Sequence, residues 1–207
     1  MSKTVQTELL KSEARKLLIE SERQPLSAMP FHIYLAGPSV FYPDVASLSA
    51  QLKADCRKLG MEPLYPLDND IHQEQLTPAE MAQAIAQANI GMIQQADAII
   101  ADISCFRGTA MDVGTAFEIG MAVQRGIPVI SYTEAPRPDY LTRVKAVDSD
   151  VRQTQGIWMD AVGMIEDFGL QENLMIACTT EYTDQGAAMA LSMVRVLLTG
   201  PLAVKRC

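Results

Sequence analysis

Apolar positions along this chain alternate between short β-prone runs and helical stripes. Residues 31–35 form such a run, ended by Gly37-Pro38, and the stripe that follows predicts a helix over about 44–59. A second strand is predicted at 62–65, running into the turn-rich Pro66-Leu67-Asp68-Asn69-Asp70. Thr77-Pro78-Ala79-Glu80 is a capping box with proline at the first helical position, and it opens a long helix to about Gln95. A third strand at 98–103, a helix at 113–124 stopped by Gly126, and a fourth strand at 128–132 complete the regular part. Strand and helix alternate as in a doubly wound α/β fold: a flavodoxin-like or Rossmann-like parallel sheet with helices on both faces.

The flanks are less regular. Residues 1–25 are polar and helix-prone, with an incomplete stripe of Leu9, Leu10, Leu17, Leu18 and Ile19 ended by Gln24-Pro25. They suggest an N-terminal helical extension over 1–30 and a main domain over 31–207. Beyond 133, Ala135-Pro136-Arg137-Pro138 marks a loop, a short helical pattern covers about 157–167, 174–178 reads as an edge strand, and 187–198 as a closing helix.

Composition narrows the class. A chain of 207 residues, 48% hydrophobic and 20% charged, suffices for one compact core. Its net charge of -8, with no Lys/Arg cluster, argues against a nucleic-acid surface and suits a neutral small molecule. Cys56, Cys105, Cys178 and Cys207 are scattered without metal-ligand spacing, so the expectation is no metal and no cofactor. The first residues lack the apolar core of a signal peptide and no run reaches membrane-span length, so a cytoplasmic protein is expected. His32 and His72, the only histidines, stand apart from any serine or cysteine nucleophile motif.

The densest chemistry lies at 101–120, a strand-loop-helix crossing. In a parallel sheet the loops beyond the carboxyl ends of the strands line the ligand cleft. Asp112 is a natural N-cap for the amides of Gly114 or Thr115. Glu118 sits among apolar or small neighbours, as though on a helix buried on most faces, so this acid needs a partner or a task. A carboxylate placed so is able to attack an anomeric carbon, and the helix N-terminus is expected to keep it ionised.

Asp112-x-Gly114-Thr115-Ala116-Phe117-Glu118-x-Gly120 resembles the nucleophile motif of the nucleoside 2-deoxyribosyltransferases. The likeness extends to Tyr34-Leu35-Ala36-Gly37-Pro38-Ser39-Val40-Phe41-x-Pro43-Asp44, Pro66-Leu67-Asp68-Asn69, Gly169-Leu170 and Asn173-Leu174-Met175. With Asp102-x-Ser104-x-Phe106-Arg107-Gly108 ahead of the helix, the chain is similar in particular to the purine-preferring type.

The resemblance implies Glu118 as nucleophile and Asp112 as the group binding a sugar hydroxyl. It implies a nucleoside pocket around Tyr34, Gly37, Pro38 and Phe41, and an Asn173, with Met175 nearby, that reaches into the adjacent subunit of a homo-oligomer. Asp68 and Asp70 are either solvated turn acids or, at Asp70, the family's base-recognising position. Asn89 stands where some branches carry an acidic proton donor; an amide gives no proton, so the base leaves by another route or Asn89 orients a group. Arg107, beside Gly108, is free to pair with Asp102 or Asp112 or to touch the nucleoside. The implied reaction moves 2-deoxyribose between a deoxynucleoside and a free nucleobase, with water as a slow acceptor. A nucleoside or 5'-nucleotide N-glycosidase and a non-catalytic nucleotide-sensing module are the rival readings.

Overall fold

The computed structural model describes residues 3–20, 30–69, 71 and 76–200. Asp70 and His72 therefore lie outside the described residues, as do the expected helix stop at Gln24-Pro25 and Cys207. The helices are α1 (Lys3–Glu20), α2 (Val45–Lys58), α3 (Pro78–Gln95), α4 (Val113–Gln124), α5 (Tyr140–Val147), α6 (Leu174–Ala177) and α7 (Gly186–Thr199). The strands are β1 (Phe31–Ala36), β2 (Met61–Leu64), β3 (Ala98–Asp102), β4 (Val129–Tyr132), β5 (Arg152–Thr154), β6 (Ile157–Met159) and β7 (Glu181–Thr183).

Five strands form a parallel sheet in the order β2-β1-β3-β4-β7, the doubly wound arrangement that the alternation predicts. Because both faces are covered, the central strands are largely apolar, and successive side chains join opposite cores. Ile33, Leu35, Ala98, Ile100, Ile130 and Tyr132 pack with α7, α2 and α1 on one face. Tyr34, Ala36, Ile99, Ala101 and Val129 pack with α3 and α4 on the other. Leu10 and Ala14 of α1 are fully buried in the first core, and α1 lies along α7. The capping box at α3 forms as expected: Thr77 and Glu80 exchange side-chain and backbone hydrogen bonds.

Two local expectations are corrected. The stretch 157–167 is not helical: β6 pairs antiparallel with β5. Gln155 and Gly156 both take positive φ, 51° and 83°, which makes the tight two-residue turn whose twist suits a hairpin. The run 174–178 is the short helix α6 rather than an edge strand, because Asn173 caps it by accepting from the Met175 amide. The strand at that edge of the sheet is β7, a few residues further on. Helix α5 has its start hidden in sequence behind Pro136 and Pro138, and Asp139 caps it through the Thr142 amide.

Candidate active site

The chain leaves β1 toward α2 on one face of the sheet and leaves β3 toward α4 on the other. A crevice opens between such neighbouring strands at their carboxyl ends. Gly37 follows β1 there, at φ 151°, and a Cβ on it would stand 2.8 Å from Asp102 Cβ at the end of β3. The two strand ends thus approach as closely as glycine permits. Pro38 is buried and begins a 3-10 turn, Pro38–Phe41, which Ser39 ties to Tyr65 through a 3.0 Å hydroxyl pair. Asp102 turns the chain after β3 by accepting from the Ser104 amide at 2.9 Å.

Helix α4 brings Glu118 to this crevice. Asp112 caps it as expected, its Oδ2 accepting from the Thr115 amide at 2.9 Å and the Thr115 hydroxyl at 3.0 Å. A Cβ at Gly114 would crowd that same oxygen at 3.0 Å, whereas one at Gly120 would meet nothing. Glu118, in the second turn, accepts a 2.6 Å hydrogen bond from the Tyr34 hydroxyl. Tyr34 comes from the middle of β1 and is wholly buried, so the sheet interior fixes the position of the acid.

Burial pushes the Glu118 carboxyl up to about 7; the Tyr34 hydrogen bond opposes this and the Asp112 charge adds to it. The help expected from the helix N-terminus in keeping Glu118 ionised is outweighed, since macrodipole stabilisation fades beyond the first turn and desolvation prevails. Burial and the adjacent carboxylate push the Tyr34 phenol far above its ordinary range, so it remains a donor. The helix is also less enclosed than its composition suggests. Thr115, Ile119 and Ala122 are buried, whereas Val113 is 85% and Phe117 65% exposed.

An aromatic cluster borders the crevice. The ring of Phe41 stacks on Phe106 at 5.3 Å between centroids, and the Arg107 guanidinium lies 4.9 Å from the Phe106 ring and 5.8 Å from Phe41. Arg107 therefore engages aromatic faces rather than Asp102 or Asp112, at a positive φ of 53° that swings it over the rings. Gly108 beside it is exposed. Phe106 belongs to the run Asp102-x-Ser104-x-Phe106-Arg107-Gly108, yet nothing in its spacing singles it out.

The remaining candidates are spread around this centre. Asp68 is paired with Lys53 at 2.8 Å and half-exposed. Asn89 on α3 accepts a long 3.4 Å hydrogen bond from Asn69, which joins the loop after β2 to that helix. Asn173 donates to Glu166 at 2.8 Å, and Met175 is 65% exposed on α6, which packs beside α4. Sequence reasoning missed a buried cluster of Arg137, Arg143 and Glu172 behind the loop joining β3 to α4. Single charged residues in loop-like sequence carry no periodic signal, and only a Pro-flanked arginine in Pro136-Arg137-Pro138 hinted at one. Among the described residues, no group of three or more His, Cys, Asp or Glu side chains gathers as a metal site requires. Among the same residues, no helix is long and apolar enough to cross a membrane.

A doubly wound sheet holding a partly buried carboxylate against a tyrosine at its switch crevice places the chain among α/β proteins with a ligand site at the strands' carboxyl edge. Comparison with known proteins narrows that class. Residues 33–175 match the profile of the family described as nucleoside 2-deoxyribosyltransferase, and the chain belongs to that family of enzymes acting on nucleosides. The structure is similar to that of a 2-desoxiribosyltransferase from Leishmania mexicana, at 32% identity and a TM-score of 0.61, over 80% of this chain and 97% of that one. A conserved protein from Enterococcus faecalis V583 shares the fold at 21% identity and a TM-score of 0.53, over 80% of this chain and 98% of its own. An uncharacterized protein of Schizosaccharomyces pombe is 33% identical over 103 residues, 49% of each chain, so the match spans about half the length of that curated relative.

Proposed function

We propose that this protein transfers the 2-deoxyribosyl group between nucleobases of 2'-deoxynucleosides through a covalent ester on Glu118. The carboxylate of Glu118 attacks C1' of the sugar. The N-glycosidic bond breaks through an oxocarbenium-like transition state, and the base departs with the bonding electron pair and takes up a proton. A nitrogen of a second base then attacks C1', the ester bond breaks, Glu118 regains its electron pair, and the incoming base loses a proton. Water in place of that base gives slow hydrolysis. The observation that carries this reading is the Tyr34–Glu118 pair, a carboxylate oriented by a buried donor at the crevice.

In this reading Asp112 binds a sugar hydroxyl while it caps α4. Gly37, Pro38 and Phe41 border the base, and Arg107 on its aromatic stack covers the opening. Asn89, an amide, orients the base rather than protonating it. Asn173 serves the site of a neighbouring subunit. In favour of a homo-oligomer, α4 and α6 lie side by side and expose Val113, Phe117, Leu174 and Met175, an apolar face of the kind that marks association. The purine-preferring type is the branch proposed, on the strength of Asp102-x-Ser104-x-Phe106-Arg107-Gly108.

The test is incubation of the protein with deoxyinosine, with and without free adenine, followed by product analysis. Deoxyadenosine should form only with adenine present. Glu118→Ala should fold normally, lose at least about 10³-fold in exchange rate, and form no covalent adduct. Exchange by Glu118→Ala at the parent rate, or hypoxanthine release indifferent to adenine, would refute the assignment.

A further inference from the structure

Behind the site, one carboxylate gathers parts of the chain that are distant in sequence. Glu172 is 3% exposed. Its Oε2 accepts from the Met111 amide at 3.2 Å, from Arg137 at 2.6 Å and from Arg143 at 3.4 Å. Its Oε1 accepts from the Asn173 amide at 3.3 Å. Met111 immediately precedes Asp112, so a single side chain bonds the backbone beside both sugar-binding candidates.

The two arginines extend the clamp. Arg137 donates to the Ile103 carbonyl and, at 3.5 Å, to that of Thr109. Arg143 donates to the carbonyls of Thr109 at 2.9 Å, Pro138 at 2.7 Å and Gln171 at 2.7 Å. The loop between Asp102 and Asp112 is therefore fastened at Ile103, Thr109 and Met111. Ser104 to Gly108, with Phe106 and Arg107, is left to project at the crevice. Arg143, through its bond to Gln171, also holds the chain two residues before Asn173.

A buried cluster of this kind is a poor device for stability alone. Two guanidinium groups face one carboxylate, and Arg137 Nε is buried without a hydrogen-bond partner. Desolvating such ions costs more than an apolar packing of the same volume, and their return is a fixed arrangement of the groups they bind. What is fixed here is the separation of two backbone segments.

We propose that Glu172, with Arg137 and Arg143, is a positioning cluster that sets Asp112 in its own site and, through the same carboxylate, sets the Asn173 lent to the neighbouring subunit. This rests on the transferase reading above. Each subunit's donated residue is thereby held in register with its own sugar-binding loop, and disturbing the cluster loosens both at once.

Glu172→Gln keeps the shape and removes the charge. In the full-length protein, amide hydrogen exchange should accelerate at least about tenfold in peptides spanning 104–112 and 169–176 together, with the exchange of β1 and β3 unchanged. Release of base from a deoxynucleoside should fall about 10- to 100-fold in kcat, with the KM for the acceptor base unaltered. If Glu172→Gln does not fold, Arg143→Lys retains the buried charge and is read in the same two ways. Acceleration of only one peptide, or uniform acceleration with kcat of the folded protein intact, would show a merely structural cluster and overturn the proposal. Failure of the parent protein to exchange bases at all would instead remove the transferase reading and leave the exchange result to judge the clamp.

Discussion

Replacing Glu118 by glutamine should make the protein more stable, and only above a definite pH. Burial raises the folded-state carboxyl to about 7 from an ordinary 4.5. Between those values the folded chain holds a proton that the unfolded chain has released, so stability falls as pH rises across this window and the loss is complete above its upper end. At about 1.4 kcal/mol per pKa unit, ionising Glu118 in place costs the fold about 3 kcal/mol. Glutamine carries no charge and its amide oxygen can still accept from Tyr34. The stability of Glu118→Gln relative to the parent should therefore rise by about 3 kcal/mol between pH 4.5 and 8, equivalent to about 6–12 °C in Tm for a domain of this size. Urea titrations at the two pH values, at one protein concentration, measure it directly. A difference that does not change with pH would mean that Glu118 is not held in a desolvated setting, and the argument for a reactive acid would lose its physical basis.

Three further outcomes follow from the geometry of the crevice. In the proposed reaction only the ionised acid attacks, so kcat/KM should climb as pH rises through about 7. Tyr34→Phe removes a hydrogen bond to the charged form that is worth about 1.5–3 kcal/mol, so this acidic limb should move up by roughly 1–2 pH units; an unmoved profile would deny Tyr34 that role. Gly37→Ala places a methyl group 2.8 Å from Asp102 Cβ in a left-handed backbone, and should cost about 1–3 kcal/mol by urea unfolding. A cost under about 0.5 kcal/mol would show that the strand ends separate freely.

The sheet was legible because its strands are buried on both faces and bounded by glycine and proline, as at residues 31–38. Capping made the starts of α3 and α4 legible, since Thr77 and Asp112 act through neighbours a few residues away. Elements of a few residues were not. At 174–178 an apolar run has no period long enough to separate strand from helix, and the Asn173 cap decides it. Glu118 stood out as an acid among apolar neighbours, but its partner did not: Tyr34 lies 84 residues earlier, and only the pairing of β1 beside β3 brings the hydroxyl to the carboxylate. The aromatic-guanidinium stack of Phe41, Phe106 and Arg107 likewise joins two loops whose meeting depends on the crossing of chain segments, so Arg107 alone read as a candidate for an ion pair or a nucleoside contact.

The bond between a mid-strand tyrosine and the acid on α4 divides the site into two parts with different freedom to vary. In the proposed reaction the attacking oxygen is registered against the rigid centre of the sheet, whereas the surroundings of the leaving and incoming groups hang on segments beyond the strand ends. Those segments are open to recutting, lengthening or exchange with a relative's, and bond-breaking competence would pass unaltered to a new clientele of bases.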